Sequence, residues 1–166
     1  MAYGQPPVCQ RYGLPVGDAR APVAVRNLSA EETRPLRLQI LRPNQPTQAA
    51  VYPGDDAPTS RHFGAWIDDR LVGIASLYAE PRAGGPRPGW RLRGMATEPS
   101  RRGRGVGRAL LQACVDHVAA EGGGELWANA RMVAVEFYGR FGFEVVSEQF
   151  EIEGIGPHVV MRRLVP

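Results

Sequence analysis

Residues 90–108 read WRLRGMATEPSRRGRGVGR and combine a strand pattern, a glycine-rich turn and the start of a helix. In Trp90–Thr97, apolar or small residues alternate with other side chains, as in a strand that buries one face. Gly94 interrupts this pattern and indicates a bulge, or a close approach of another group to the backbone. From Gly105 an apolar stripe of helical period runs to the glycines at 122–124, which predicts a helix between them.

The turn between this strand and this helix has the composition of a phosphate-binding loop. Its glycines let the backbone approach a ligand closely, and the amides and dipole of a helix N-terminus attract anions. The Walker loop is excluded because the sequence contains no lysine, and the dinucleotide fingerprint fails because its third glycine position holds Arg108. The remaining pattern is Arg-x-x-Gly-x-Gly, from Arg102 to Gly107.

Positive charge is concentrated around the same turn. Residues 82–108 contain eight arginines and one acid, Glu98, for a local charge of +7. The rest of the chain holds 12 arginines and 16 acids, so the net charge of +3 combines a basic segment with an acidic remainder. Such a concentration suits a polyanion, either the phosphates of a nucleotide or a nucleic-acid backbone. A solvated arginine-rich loop is the alternative interpretation.

Length and composition limit the class of protein. The 166 residues suffice for one domain, which we place at residues 22–166, after a flexible tail at residues 1–21 that is rich in Pro and Gly. No apolar run reaches the length of a membrane span and the tail lacks a secretory signal, so we expect a cytoplasmic protein with no membrane partner. Cys9 and Cys114 are too few for a disulfide framework, and the three histidines lie in separate predicted elements, so we expect no metal.

The segment before the central strand predicts a strand and a helix. Residues 22–28 have the pattern of a short strand, and Ser29 and Glu32 have the spacing of a capping box that starts a helix. This helix ends by residue 42, because prolines follow. Pro35 predicts a separate first turn, with Thr33 as a second cap.

A long loop and a hairpin follow this helix. Residues 43–60 contain four prolines, and a loop of this length in a compact domain predicts a substrate-binding role. Asp55 and Asp56 in this loop either bind a cationic acceptor or form a solvated turn. Residues 63–67 and 71–79 predict a β-hairpin.

The C-terminal third predicts a strand, a helix and two further strands. Residues 125–128 form the strand, and residues 131–139 form the helix, with Met132 on its apolar side. Residues 143–151 and 158–164 form the last two strands, which a glycine turn joins.

These elements, in this order, resemble the GNAT superfamily of acyl-CoA-dependent N-acyltransferases. The resemblance covers residues 22–164 and is carried by strand WRLRGMATEP, loop RRGRGVG, helix GRALLQACVDHV, strand ELWANA and helix AVEFYGRFGF. It implies an α/β (α+β) fold, in which helices flank a central, mostly antiparallel mixed sheet of about seven strands that is splayed between strands four and five. It also implies an N-acetyltransferase that uses acetyl-CoA as co-substrate and a small-molecule or peptide amine as acceptor, by direct attack in a ternary complex.

The resemblance assigns roles to particular residues. The strand end Met95, Ala96 and Thr97 would pair with the pantetheine arm of coenzyme A, and Met95 would also polarise the thioester carbonyl. Tyr138 matches the tyrosine that protonates the departing thiolate, while Asn129 and Phe137 match cofactor contacts. The alternative interpretation of Tyr138 is ordinary packing on an apolar helix face, and that of Asn129 is a helix N-cap. The loop residues that would hold the pyrophosphate are Arg102, Gly103, Arg104, Gly105, Val106, Gly107 and Arg108.

The sequence departs from the family pattern at the general base. Many relatives carry a glutamate on the strand before the loop, but Arg91 and Arg93 hold the polar positions of that strand here. Glu80, His62, His158 or a water molecule could take the proton of the amine instead, and a histidine is the best matched of these near neutral pH.

Two other functions fit the same residues. A non-catalytic acyl-CoA-binding domain of this fold is one, and an arginine-mediated nucleic-acid binder is the other. The arginines are interleaved with glycines at a helix start and lack the aromatic residues of a base-stacking surface, which disfavours nucleic acid as a partner. The sequence does not define the acceptor, the acyl chain length or whether the chain forms a homodimer.

Overall fold

The computed structural model describes residues 10–12 and 21–166. Within these ranges it contains nine strands and three α-helices. The strands are β1 (Gln10–Tyr12), β2 (Val23–Leu28), β3 (Arg61–Ile67), β4 (Arg70–Tyr78), β5 (Gly89–Thr97), β6 (Gly124–Arg131), β7 (Glu144–Val145), β8 (Phe150–Ile152) and β9 (Gly156–Val165). The helices are α1 (Ala30–Leu36), α2 (Val106–Ala120) and α3 (Val135–Gly139). The expected mixed α/β class is confirmed, with two strands more than the seven expected.

The two additional strands lie at the ends of the chain. β1 lies inside the segment predicted as a tail and pairs with β2. The region predicted as one strand at 143–151 contains both β7 and β8. The rest of the predicted tail, with Cys9, lies outside the described residues.

The chain forms two compact units. The first contains the described residues up to Ser76 together with Gly94–Cys114, and the second contains Leu77–Arg93 and Val115–Pro166. Strands β4 and β5 and helix α2 each contribute residues to both units.

The sheet of the first unit begins with antiparallel neighbours. β2 pairs with β1 on one side and with β3 on the other, and Val25 lies opposite both Gln10 and Ala65. β4 is the next neighbour of β3, as the predicted hairpin requires. Asp68 and Asp69 form the turn with φ angles of 48° and 58°, the left-handed conformation that a tight hairpin turn needs.

Helix α1 begins at the predicted capping box. The Glu32 amide donates to Ser29 Oγ at 3.3 Å, and the Ser29 amide donates to the Glu32 carboxylate at 2.7 Å. The hydrogen bond from the Ser29 amide lowers the pKa of the Glu32 carboxyl, and the bond from the Ser29 hydroxyl adds to the effect, because both favour the charged form. The chain therefore enters the helix with its first amides satisfied.

The predicted break in this helix is wrong. α1 runs through Pro35, and Thr33 lies inside it, with its hydroxyl donating to the Ala30 carbonyl at 2.6 Å. A π-helical turn at Arg37–Leu41 continues the helix, and the Arg42 amide closes it on the Arg37 carbonyl at 2.9 Å. Pro35 lacks the amide that would bond to the Glu31 carbonyl, so the helix continues through it with one hydrogen bond fewer.

The packing of the first unit sets the position of α2. Leu36, Ile74 and Ala96 form a buried cluster between α1, β4 and β5. A Cβ atom on Gly73 of β4 would lie 2.7 Å from Val106 and 3.0 Å from Leu110, so the absence of a side chain lets the first turns of α2 pack directly on the sheet. The N-terminus of α2 is thereby held beside the end of β5.

The sheet of the second unit contains the expected splay. β5 and β6 are parallel, but their ladder covers three residues of each strand, Gly89–Arg91 against Glu125–Trp127. On its other side β6 pairs with β9 along all eight of its residues, from Gly124 to Arg131. β6 is therefore a regular strand that leaves β5 after Trp127. These two strands are the fourth and fifth of the predicted order.

A buried carboxylate ties the start of β6 to its surroundings in the second unit. The Glu125 side chain is 0% exposed and accepts hydrogen bonds from Arg82 Nε at 3.0 Å and Arg162 Nη1 at 3.1 Å. Arg162 also pairs with Glu144, and these carboxylates raise the pKa of its guanidinium, with the Glu125 hydrogen bond as the largest cause. The Pro/Gly linker that carries Arg82 is thus fixed against β6 and β9.

Two boundaries differ from the prediction in the C-terminal third. β6 extends to Arg131, three residues beyond the predicted end, because β9 pairs with its whole length. The predicted helix at 131–139 begins as a 3-10 turn, Met132–Ala134, and α3 starts only at Val135. Met132 is 39% exposed, so its expected place on the apolar side is wrong.

Candidate active site

The turn that follows β5 has the backbone of an anion-binding loop. A short 3-10 helix, Pro99–Arg101, follows Glu98, and the chain then passes through Gly103 and Gly105 before α2 begins. Both glycines have left-handed φ angles, 72° and 81°, which other residues adopt only with strain. Of the two glycines in the Arg-x-x-Gly-x-Gly pattern, Gly105 is therefore required by the turn itself, whereas Gly107 lies within α2.

The N-terminus of α2 supplies amide groups at the end of this turn. The Ala109 amide donates to the Gly105 carbonyl at 2.9 Å, which closes the first turn of the helix. The amides of Val106, Gly107 and Arg108 lie ahead of that bond and have no acceptor within the helix. Val106 is 1% exposed and anchors this end, so the amides are held at a fixed position.

The charge of the turn is carried by four arginines. Among the residues that the structure describes, Arg101, Arg102, Arg104 and Arg108 form no ion pair. The nearby acid Glu98 is 6% exposed and pairs with Arg70 at 2.8 Å instead. The predicted charge concentration is therefore uncompensated at the turn, which favours the binding of a polyanion.

The end of β5 leads into the turn and carries a backbone irregularity. Gly94 has a φ angle of 60°, in agreement with the bulge or close approach expected there. Met95 and Thr97 are partly exposed, whereas Ala96 is 5% exposed and packs into the core. The first unit thus brings Met95–Thr97 and the turn at 102–108 together on consecutive segments.

The second unit holds the other predicted site residues. Asn129 is partly buried within β6, opposite Val160 of β9, so its interpretation as a helix N-cap is wrong. Tyr138 on α3 is 8% exposed, and its ring lies 5.3 Å from those of Phe137 and Phe143, measured between centroids. This aromatic cluster fixes the orientation of the Tyr138 ring.

A family model described as an acetyltransferase (GNAT) domain matches residues 27–165. The chain belongs to the GNAT acetyltransferase family. YitI, an uncharacterised N-acetyltransferase of Bacillus subtilis (strain 168), is 35% identical to it over 144 residues, which cover 82% of this chain and 93% of YitI. This GNAT chain is therefore an acyltransferase.

Solved structures share the fold of this GNAT protein. Escherichia coli ElaA superposes with a TM-score of 0.67 at 23% identity, over 85% of this chain and 99% of ElaA. An aminoglycoside 6'-N-acetyltransferase solved with coenzyme A superposes with a TM-score of 0.66 at 17% identity, over 86% of this chain and 97% of that enzyme. At these identities the similarity shows the fold alone.

Two of the candidate bases of this acetyltransferase are engaged within the protein. His62 is 6% exposed, with Nδ1 2.8 Å from Ser76 Oγ and Nε2 2.9 Å from the Asp55 carbonyl oxygen. A carbonyl only accepts, so Nε2 carries the proton and Nδ1 accepts from the serine hydroxyl. Glu80 pairs with Arg91 at 2.8 Å, beside the three-residue ladder and away from the splayed part of β6.

The third candidate base, His158, is as buried as His62, at 4% exposed, and its ring stacks on Phe150, but its hydrogen bonding differs. Its Nδ1 atom lies 2.7 Å from the Gly156 carbonyl oxygen, so Nδ1 donates and Nε2 is the nitrogen that can accept a proton. His158 lies opposite Arg131 in the β6–β9 ladder, and Asn129 lies opposite Val160. Because side chains alternate along strands, His158 and Asn129 share one face of the sheet.

The two aspartates of the 43–60 loop have separate roles. The Asp55 side chain is 1% exposed and forms a bidentate ion pair with Arg37, at 2.7 and 3.0 Å, so it is engaged inside the protein and not with a cationic acceptor. Asp56 is exposed. Sequence analysis missed Arg37, although it lies on the apolar stripe of its helix with Thr33 and Ile40, where a charge requires a buried partner.

The described ranges provide no other ligand site of an obvious kind. In residues 10–12 and 21–166, no group of three or more His, Cys, Asp or Glu side chains could hold a metal ion. No helix of the same ranges is long and apolar enough to cross a membrane. The arginine turn is the feature that points most directly to a ligand.

Replacing Asp55 by Asn would leave the Arg37 guanidinium buried without a counter-charge. We expect a loss of about 3–5 kcal/mol in the free energy of unfolding, the usual cost of removing one partner of a buried pair. Urea denaturation followed by circular dichroism measures it. Asp56→Asn is the matched control and should change stability by less than ~0.5 kcal/mol, because Asp56 is exposed. Equal stability of the two variants would contradict the assignment.

Proposed function

We propose that this protein transfers an acetyl group from acetyl-CoA to the primary amine of a small molecule or a peptide, by direct attack in a ternary complex. The observation that carries the proposal is the turn at 101–108, where a helix N-terminus follows a glycine turn with four arginines that form no ion pair among the described residues. Coenzyme A carries a pyrophosphate and a further phosphate, which match this charge. Membership of the GNAT family supplies the acyl-transfer chemistry.

The proposed contacts with the cofactor are those that the resemblance to the GNAT family implies. In the first unit the amides of Arg102–Arg108 bind the pyrophosphate, and Met95–Thr97 pairs with the amide groups of the pantetheine arm. In the second unit Asn129 and Phe137 contact the same arm. The early end of the β5–β6 ladder supports this proposal, because a strand that leaves its neighbour makes room for another chain of amides.

The transfer step uses donors on both sides of the thioester. The amine nitrogen attacks the thioester carbon and forms the new N–C bond, while the backbone at Met95 stabilises the negative charge that develops on the carbonyl oxygen. The C–S bond then breaks, and Tyr138 gives its phenolic proton to the thiolate. A phenol with a pKa near 10 is a suitable donor to an alkyl thiolate.

The amine must also lose a proton, and we assign that step to His158. Its Nδ1–H bond to the Gly156 carbonyl directs the basic nitrogen, Nε2, away from that turn. Its position on the same sheet face as Asn129 supports a place near the reacting groups. The proton returns through solvent to Tyr138, so both residues are regenerated after each turnover.

Replacing Gly105 by Glu should abolish binding of acetyl-CoA, because it adds bulk and negative charge at a left-handed position of the turn. Calorimetric titration with acetyl-CoA measures the affinity, and a short duplex DNA at two salt concentrations tests the nucleic-acid alternative. Gly84→Glu is the matched control, since Gly84 is also left-handed, at φ 69°, with no heavy atom within 4 Å of an added Cβ. Retained affinity in Gly105→Glu, or salt-sensitive DNA binding without a coenzyme signal, would refute the proposal.

Replacing Tyr138 by Phe should lower kcat by about 100-fold, the typical contribution of a proton donor, and leave the affinity for acetyl-CoA unchanged. Thiol release with a panel of amines measures turnover, and calorimetry measures affinity. Tyr78→Phe removes the same atom from a buried tyrosine of the same unit and should retain full activity. Unchanged turnover in Tyr138→Phe would mean that this ring only packs.

Replacing His158 by Gln keeps a donor for the Gly156 carbonyl but removes the basic nitrogen. We expect kcat/KM for the amine to fall by about 100-fold at neutral pH, and the deficit to shrink in alkaline solution, where the amine is already deprotonated. Rate measurements across the pH range at saturating acetyl-CoA test this. His117→Gln is the control, because His117 packs edge-on against Trp90 and has no assigned role. A deficit that is constant with pH would exclude His158 as the base.

A further inference from the structure

The first unit contains a buried charged cluster around Arg37. The guanidinium donates to both carboxylate oxygens of Asp55, at 2.7 and 3.0 Å, to the Ala50 carbonyl at 2.9 Å and to Ser76 Oγ at 2.9 Å. The two charged side chains are 0% and 1% exposed. Removing both charges from water costs so much that apolar residues of the same size often give equal or greater stability. Stability alone therefore does not explain why this pair occupies the core.

Tyr52 completes the cluster. Its ring lies over the Arg37 guanidinium, with 4.0 Å between the guanidinium carbon and the ring centroid. Its amide donates to Asp55 Oδ2 at 2.9 Å, so the ion pair fixes the backbone of this tyrosine as well as its ring. Arg37, Asp55 and Tyr52 form one interlocked group, which we call the Arg37 clamp.

The Arg37 clamp rests against the backbone of β5. A Cβ atom on Gly94 would lie 3.0 Å from Tyr52 Cε2 and 3.2 Å from Arg37 Nε. Within β5, which the structure describes throughout, Gly94 alone has a positive φ angle, 60°. The conformation at one residue determines the direction of the next peptide, which here belongs to Met95. The clamp thus touches the one irregular position of the strand, immediately before the proposed acyl site.

We propose that Arg37 is a positioning residue for acyl transfer, because the Arg37 clamp holds Gly94 in its left-handed conformation and so directs the Met95 peptide at the thioester carbonyl. This inference rests on the proposed function for its catalytic consequence. Its structural part, the control of Gly94 by the clamp, can be measured in the protein without any ligand.

The test uses a double variant that removes both charges together. Arg37→Met with Asp55→Asn keeps the unbranched stem of the arginine as far as the Nε position and keeps an acceptor for the Tyr52 amide. The matched control is Arg82→Met with Glu125→Gln, which neutralises the buried pair of the second unit. Circular dichroism reports folding, and the NMR amide shifts and HN–Hα couplings of Gly94 and Met95 report the backbone. The infrared C=O band of bound acetyl-CoA labelled with ¹³C at the acetyl carbonyl reports polarisation of the thioester.

We expect the double variant to fold and to bind acetyl-CoA as the parent does, since the turn at 101–108 is unchanged. The Gly94 couplings and the Met95 amide shift should change, and the C=O band should move towards its position in free acetyl-CoA. Turnover should fall by about 10- to 100-fold with little change in KM for acetyl-CoA, the effect of a misplaced catalytic group. The control variant should retain the parent values in all these measurements.

Unchanged Gly94 and Met95 signals in the folded double variant would overturn the inference, and so would changed signals with an unchanged C=O band and turnover. Failure of the parent itself to bind acetyl-CoA would refute the proposed function and, with it, the catalytic role of Arg37. If the double variant does not fold, Tyr52→Leu retains the ion pair but removes the ring from Gly94, and the same NMR, infrared and kinetic changes decide the question.

Discussion

The short ladder between β5 and β6 is the constraint on which the proposed site depends. Parallel strands normally continue their hydrogen bonds along their length, but here the ladder covers three residues, while β9 holds the rest of β6 straight. Two hydrogen bonds stabilise the paired end of β5 and β6. The Glu80 carboxylate accepts from Arg91, and the Trp127 indole donates to the Glu80 carbonyl at 2.8 Å. These bonds hold the residues at which the β5–β6 ladder ends. The proposed function needs such an end, because an extended ligand can pair with a strand only where no neighbouring strand does.

The described arginines fall into those that form ion pairs with carboxylates and those that do not. Arg37 and Arg82 are paired with buried carboxylates and connect loops to strands. The arginines at 101–108 form no such pair within residues 10–12 and 21–166, and they flank the start of α2 in the sequence. The chain contains no lysine, so residue type does not distinguish the two groups of arginines. They differ in whether a carboxylate pairs with the guanidinium. The uncompensated group makes binding sensitive to salt, since screening weakens exposed charges more than buried pairs.

Local signals in the sequence predicted the local features of the fold. The Ser29 capping box and the hairpin turn at Asp68–Asp69 depend on neighbouring residues, and the turn before α2 depends on Gly103 and Gly105, which adopt positive φ angles. Features that depend on distant partners were missed. Asp55 belongs to Arg37, 18 positions earlier, and β6 owes its extra residues to β9. Neither the Arg37–Asp55 pair nor the β6–β9 pairing produces a periodic pattern in the sequence, because it depends on residues that are distant along the chain.

The exclusive use of arginine at the turn has a chemical consequence for an enzyme that handles activated acyl groups. A thioester acylates any unprotonated amine near it, and a lysine can lose its proton and become such an amine. A guanidinium stays protonated and is no nucleophile, so in the proposed function Arg102, Arg104 and Arg108 would lie beside a reactive donor without being modified by it. With no lysine among its 166 residues, the protein offers no side-chain amine to compete with its acceptor.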